Sequence, residues 1–384
     1  MSNLETRPAE RVCTAGGAEP PSSGDVGDMG TIEVLSPRTV PLGGTRAMTV
    51  RRTLPQRARS LVGAWCFCDH YGPDDVTGGP GMQVPPHPHT GLQTVTWLFA
   101  GEALHRDSVG SFETVRPGEL NLMTAGRGIS HSEETPAGTT TRTLHGVQLW
   151  TALPSAALGR APSFEHHDDL PVLRVPGAVA HVLLGTLTLD GTGTGASRNT
   201  DDRSRAVAAT SPATTFTPIV GAQLDLAPGA RVVVRAEPGF EHAVLVDAGA
   251  VSVDGVPVEA DHLAYVAPGR GPIVLEAGPD ALTDDAGTVG ARVMLLGGEP
   301  FGEEIVMWWN FVGRTHDDVA RARADWQAGL VVSSGEGPNQ GGTEYVAAAG
   351  QGRFGEVVGY HGGPLPAPVL PDVHLKPRRA PGGR

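Results

Sequence analysis

Two short pairs of side chains hold the most reactive chemistry in this sequence, His87-Pro88-His89 and His131-Ser132-Glu133. Successive residues of a β-strand point to opposite faces, so residues two apart share a face. If the strands carrying the pairs lie side by side in a small barrel, three imidazole nitrogens and a carboxylate oxygen converge inside it. That donor set suits a borderline first-row metal. Either pair alone is more often a solvated loop or a hydrogen-bonded core histidine. Together they are stronger, because eight of the 14 histidines fall between His70 and His167. Pro88 predicts a strand start or a loop rim, where a missing N–H is tolerated.

The elements that must position these residues read as strands. With 53 Gly and 33 Pro in 384 residues, the chain is too often interrupted for a helical protein, and its length allows two domains. Residues 1–30 hold few large apolar side chains and are expected to stay disordered. Strand patterns follow at Ala47–Val50, Leu61–Phe67, Leu92–Phe99, Thr114–Val115, Leu120–Met123 and Leu144–Leu149, and residues 31–170 are assigned to a first barrel. Leu158–Pro171 reads as a connection, its Glu165-His166-His167-Asp168-Asp169 run as solvated. Residues 171–211 join the barrels through a strand, Val179–Leu189, and an exposed loop, Asp190–Pro212. Residues 212–300 form a second barrel, and 301–384 a helix and extended tail. Thr315-His316-Asp317-Asp318 starts the helix with a capping-box pattern, Val319, Ala322 and Trp326 share its buried face, and Gly329 stops it. Ser333–Gly342 is expected to be flexible. Phe354–Val358 is a possible last edge strand, and the Pro-rich end from Gly362 a strap or loose tail.

An internal repeat supports two barrels of one kind. Leu120–Gly128 aligns with Leu263–Gly271, which sets His131 on Val274 and Glu133 on Glu276. Aligning Gly91 with Gly239 sets His87 on Arg235 and His89 on Glu237. The second copy has lost every imidazole of the set, so it reads as metal-free. His242 and His262 are left as core or surface residues.

Composition narrows the function classes. Twenty-nine Lys and Arg against 42 Asp and Glu give a net charge of −13, which opposes a direct grip on nucleic acid. The basic stretch Arg51–Arg59 and the tail from Lys376 read as solvated surface. Three cysteines fit a reducing compartment rather than a disulfide framework, and Cys66-x-Cys68 fits core packing. No apolar run is long enough for a membrane span. A cytoplasmic, monomeric protein is expected, and Arg in place of nearly every Lys with abundant Ala, Gly and Pro suggests a GC-rich bacterium.

The motifs have a family likeness. Gly81 followed by His87-x-His89, and the Pro117-Gly118 turn leading to His131, resemble the two cupin motifs. His87-Pro-His-x-Gly91, Leu104-His-Arg-Asp-Ser108, Met123-Thr-Ala-Gly-Arg-Gly-Ile129, His131-x-Glu133 and His145-Gly-Val-Gln-Leu-Trp150 resemble the pirin family, across most of residues 31–330. The resemblance implies an all-β bicupin, two stacked antiparallel jelly-roll barrels with a short C-terminal helix. It implies one Fe(II) in the first barrel, held by His87, His89, His131 and Glu133. Some pirins open the heterocycle of quercetin with O₂ and release carbon monoxide; here Glu133 would then serve as general base. Many pirins carry Arg, Phe and Glu where this chain has Thr90, Leu92 and Gln93, which leaves Glu133 the sole carboxylate of the set. Gln93, His105 and Ser132 are candidates to orient the ligands. Leu92, Trp97, Phe99 and Met123 suit either an aromatic substrate or a barrel core. Two functions follow: a dioxygenase for flavonol-like or enolisable aromatic substrates, and a metal- or redox-dependent regulator that binds a metabolic enzyme or transcription-associated protein. A closed structural zinc site is a third reading.

Overall fold

The computed structural model describes residues 32–41, 48–79, 81–190, 206–332, 345–347 and 352–377. Among these every regular element is a β-strand except one 3-10 turn and the helix His316–Ala328, as the density of Gly and Pro predicts. No helix among the described residues is long and apolar enough to cross a membrane. The expectations for residues 1–30 and 333–342 fall outside the described residues.

In the first barrel a four-stranded sheet, in the order Gln83–His89, Ile129–Glu134, Ala103–Asp107 and Phe112–Val115, is set against a seven-stranded sheet. The centre of the larger sheet is Leu92–Ala100, Thr143–Ala152 and Trp65–Asp75. The second unit is a twelve-stranded sheet that runs through Leu263–Val266, Glu241–Gly249, Ala291–Gly298, Ile219–Leu226 and Ala178–Asp190. Leu120–Thr124 beside Leu92–Ala100 and Leu263–Val266 beside Glu241–Gly249 hold equivalent places, which is the repeat in three dimensions.

Central strands are buried on both faces, and alternation explains how. On the second barrel Val244, Val246, Val293 and Leu295 fill its interior. Their neighbours Leu245, Met294 and Leu296 join Trp65, Phe67, Val95 and Trp97 in a core shared with the first barrel. Trp65 crosses that junction, its Nε1 3.2 Å from the carbonyl oxygens of both Val220 and Gly297. The barrels are therefore stacked through apolar surface, the dominant favourable term in folding. Cys66 and Cys68 lie in this core, and burial pushes both thiols up to about 12.

Several local expectations need correction. The strand predicted over Leu61–Phe67 begins only at Trp65 and continues to Asp75, because Gly63 makes a turn there with φ 53°. Ser163–His167 is an edge strand on Leu120–Thr124, with His166 Nδ1 2.7 Å from Asn121 Oδ1. Ala206–Thr210 is a strand on Ala178–Asp190, not loop. Phe354–Val358 is no strand; Leu330–Val332 pairs instead with Tyr345–Ala347. The Arg51–Arg59 stretch is solvated only in part, with Arg57 exposed but Arg52 and Arg59 buried. Arg52 is buried, gripping Asp69 with Nε at 2.6 Å and Nη2 at 2.8 Å, while its guanidinium lies over Phe67. Arg59 is buried over the Tyr265 ring. The strand Glu33–Leu35, from the stretch assigned to the first barrel, pairs with Leu263–Val266 of the second.

The helix forms as its sequence dictates. Thr315 Oγ1 accepts from Asp318 N at 3.2 Å, Asp318 Oδ2 accepts from Thr315 N at 2.9 Å, and Val319, Ala322 and Trp326 are buried. Past it, residues 352–377 run as an extended strap. Trp326 Nε1 donates to Leu365 O at 2.8 Å, and Leu365 N donates to Pro86 O at 2.8 Å. The strap so joins helix and first barrel.

Candidate metal centre

His87 and His89 lie at the end of Gln83–His89, an edge strand of the four-stranded sheet, which is how Pro85, Pro86 and Pro88 are accommodated. Ile129–Glu134 pairs with it antiparallel, setting His131 opposite His87 and Ile129 opposite His89. The register shifts between His131 and Glu133, so Glu133 stands opposite Val84. Such a bulge re-aims a side chain without breaking the sheet.

Two glycines fix the approach of these strands. Gly91, φ 70°, passes so close to the chain after the second barrel that a Cβ there would lie 2.2 Å from Val312 O. Gly126, φ 51°, is equally hemmed in by Arg160 O. Their turns are joined directly, Gly91 N donating to Gly126 O at 2.9 Å. The glycines of the two motifs are there because backbone meets backbone.

The donors converge. Ring centroids of His87 and His131 are 4.3 Å apart, those of His87 and His89 5.1 Å, and those of His89 and His131 5.0 Å. One nitrogen from each ring lies within 4.8 Å of the others, and Glu133 forms a second such group with His105 and His131. Burial pushes the His87 imidazole down to about 4, and burial reinforced by the neighbouring rings holds His89 and His131 well below their ordinary range. All three are neutral near pH 7 and keep a lone pair.

Hydrogen bonds select which nitrogen keeps it. His87 Nδ1 is 2.8 Å from Pro85 O, which only accepts, so Nδ1 carries the proton; Nε2 is buried with no hydrogen-bond partner. His105 Nε2 is 3.1 Å from Asp107 Oδ2, and its Nδ1 is 3.3 Å from His131 Nδ1. An ionised Asp107 accepts a hydrogen bond from His105 Nε2–H, leaving His105 Nδ1 to accept from His131 Nδ1–H. His131 Nε2 is then the donor atom. Asp107 is itself pinned by the backbone N–H groups of Val109 and Ser111. Such a carboxylate–imidazole relay raises ligand basicity.

Of the three residues expected to orient the ligands, His105 contacts one imidazole of the set, His131. Gln93 is buried but bonds Thr124 Oγ1 at 3.0 Å and Thr214 O at 3.1 Å, away from the imidazoles. Ser132, between two inward-facing residues, points to the other face of its strand, and its buried hydroxyl makes no hydrogen bond. Sequence reasoning missed Asp107, although it lies in the quoted Leu104–Ser108 motif. It also missed Thr96, whose Oγ1 is 3.2 Å from Glu133 Oε1 and 3.0 Å from Gln148 Oε1. Leu92, Trp97, Phe99 and Met123 are core residues. Trp97 donates to Gln223 Oε1 at 2.6 Å, across the barrel junction.

Among the described residues the second barrel has no equivalent set, with one change of register. Val274 pairs with Val233, so Val233 stands where His87 does and Arg235 where His89 does, two residues from the sequence alignment. Arg235 Nε pairs with Asp190 Oδ1 at 2.5 Å, and Arg231 with Glu276 at 3.3 Å. The His131 and His87 positions are apolar, and the remaining charges are matched.

Comparison with known proteins agrees with this geometry. The Pirin family model matches residues 46–151, and the Pirin C-terminal cupin domain model matches 221–332. A Pseudomonas aeruginosa protein provisionally named quercetin 2,3-dioxygenase is 38% identical over 88% of this chain and 91% of its own. A pirin-like protein of Caulobacter vibrioides is 36% identical over 73% of this chain and 88% of its own. The crystal structure of quercetin 2,3-dioxygenase from Acinetobacter baumannii, 36% identical, superposes with a TM-score of 0.72 over 90% of this chain and 97% of that one.

Proposed function

The chain belongs to the pirin family, and from that premise we propose that it is a metal-dependent dioxygenase of the quercetin 2,3-dioxygenase type, acting on flavonol-like aromatic substrates. His87, His89, His131 and Glu133 would hold one divalent metal, Fe(II) by preference. The observation that carries this reading is the donor set: three buried neutral imidazoles facing one another beside a carboxylate, with the Nε2 of His87 buried and unpaired. A bound non-haem metal of this class supplies open positions for an oxygen-rich substrate and O₂ side by side. The names carried by the Pseudomonas and Acinetobacter relatives point the same way.

The chain's own groups do the rest. Glu133 accepts the flavonol hydroxyl proton, at the carboxylate oxygen that Thr96 does not contact. Thr96 has one hydroxyl proton to share between Glu133 and Gln148, so it can follow the charge on Glu133. The relay from Asp107 through His105 holds the His131 ring in place. The overall reaction consumes flavonol and O₂ and yields the ring-opened ester and carbon monoxide.

A second reading, a protein-binding regulator governed by metal or redox state, has one observation in its favour. All three histidines are fully buried and Glu133 is 2% exposed, while the strap spans the outside of the same strands. A cavity of about 410 Å³ lies there, lined by Pro86, Ser130, Trp326, Phe354 and Tyr360. It is large enough for a small aromatic molecule, but alternation puts it on the face away from the imidazoles. Anaerobic purification, elemental analysis and O₂ uptake with quercetin, with His87→Ala as control, separate the readings. Uptake that depends on His87 is the expected result. Metal bound at His87 without uptake in the strap-intact or strap-deleted protein would overturn the enzyme in favour of the regulator.

A further inference from the structure

A second convergence of metal-binding atoms lies between the barrels, away from the donor set above. His70 comes from Trp65–Asp75 and His145 from Thr143–Ala152, neighbouring strands of the first barrel; Asp247 comes from Glu241–Gly249 of the second. His70 Nε2 and His145 Nε2 are each 2.7 Å from the same oxygen, Asp247 Oδ1, and 3.2 Å from each other. All three residues are buried.

The backbone is shaped to this meeting. The ladder between Thr143–Ala152 and Trp65–Asp75 slips between Leu144 and Gly146, and the one between Glu241–Gly249 and Ala291–Gly298 slips between Val246 and Ala248. Asp247 is therefore the extra residue at its bulge, and His145 faces the two-residue bulge Gly72-Pro73 of the neighbouring strand; such bulges aim side chains out of the regular alternation.

We propose that His70 Nε2, His145 Nε2 and Asp247 Oδ1 form a second metal site, a clip for one divalent first-row cation such as zinc that joins the two barrels.

Three features carry this. The first is spacing. Ligands at ~2.0–2.2 Å from a common cation stand roughly 3 Å from one another, and the three atoms meet that condition. Without a cation, two imidazole nitrogens 3.2 Å apart must both direct protons at one oxygen. The second is the surrounding layer. His70 Nδ1 is 2.9 Å from Asp261 Oδ1, and Asp247 Oδ2 accepts from Arg292 Nη1 at 2.9 Å. The distal atoms of His70 and Asp247 are thus held, the pattern that fixes tautomer and orientation at metal sites. The third is charge. Besides the two imidazoles, Asp225, Asp247, Asp261 and Asp284 meet the guanidiniums of Arg51 and Arg292. With both imidazoles neutral, as ligation requires, four carboxylates against two guanidiniums leave two negative charges, which one divalent cation balances. Phe99 walls the rings, in edge-type contact with His70 and His145, and partly exposed Asp261 gives the cation a way in.

The proposal is independent of the dioxygenase reading, and the test keeps them apart. The full-length His87→Ala/His131→Ala protein is stripped with chelator and titrated with Co(II), followed by its d–d absorption, by bound metal per chain and by thermal unfolding. One equivalent retained, with a Tm that rises on metal addition, is expected; no bound equivalent in this protein overturns the proposal. In the same background Asp247→Asn and His145→Gln should each abolish that equivalent, and Asp261→Asn should weaken it about 10- to 100-fold. Retention of the equivalent by both Asp247→Asn and His145→Gln would place the metal elsewhere and equally overturn the clip. Far-UV circular dichroism identifies any variant that fails to fold, in which case the other decides.

Discussion

Single side chains divide the candidate metal centre into proposed donors and supports. Glu133→Ala removes the sole carboxylate of the donor set and should abolish metal retention or O₂ uptake. Gln93→Ala loses bonds only to Thr124, Thr151 and Thr214, so it should keep the metal and lower Tm; metal analysis and thermal unfolding of the pair distinguish the roles. Asp107→Asn leaves every donor atom in place but no longer enforces the His105 tautomer, and metal affinity should fall about 10- to 100-fold in a competition titration. Acid acts on the same residues. The folded-state pKa of His87 is pushed from 6.5 to about 4, and that of His242 likewise by burial. Between those values the unfolded chain binds protons that the folded chain refuses, so stability rises with pH there. Denaturant melts of the metal-free protein should show full stability above about pH 6.5 and a progressive loss down to about pH 4.

At the scale of elements, the strap and helix determine how the centre meets solvent. Phe354 O accepts from Ser130 N at 3.0 Å, and Pro86 O from Leu365 N at 2.8 Å, so the strap is sewn to both ligand-bearing strands. Deleting residues 352–384 should speed removal of the metal by a chelator, measured by stopped flow, with the native β-sheet spectrum retained. Much at this scale was legible in the sequence. A spacing of two fixed the shared face of His87 and His89, and the Thr315–Asp318 pair marked a helix start that the fold honours. Edge strands were not legible: Ser163–His167 and Ala206–Thr210 pair on one side only, so nothing forces an apolar alternation on them. Arg52 and Arg59 misled for a related reason, since a buried guanidinium looks solvated until its carboxylate or aromatic partner, far away in the chain, is known. The same distance hid His70, His145 and Asp247, whose meeting depends on two bulges and on the stacking of one barrel against the other.

For the whole molecule, the two barrels share a core, and one segment belongs to the barrel remote from it in sequence. Glu33 pairs with Tyr265, and Arg59 of the first barrel binds Glu33 at 2.7 Å while lying over the Tyr265 ring. Deleting residues 1–36 should lower the Tm of the second barrel, seen as faster hydrogen exchange across Leu263–Val266 with the Ile129–Glu134 strand little changed. The crossing of Glu33–Leu35 also bears on the birth of the protein. That strand leaves the ribosome ahead of its partner at Tyr265, which follows more than two hundred residues later. At ~5–20 residues per second it spends on the order of tens of seconds without its mate. Its shortness, three residues with Val34 turned outward, makes it a poor template for pairing with another nascent chain.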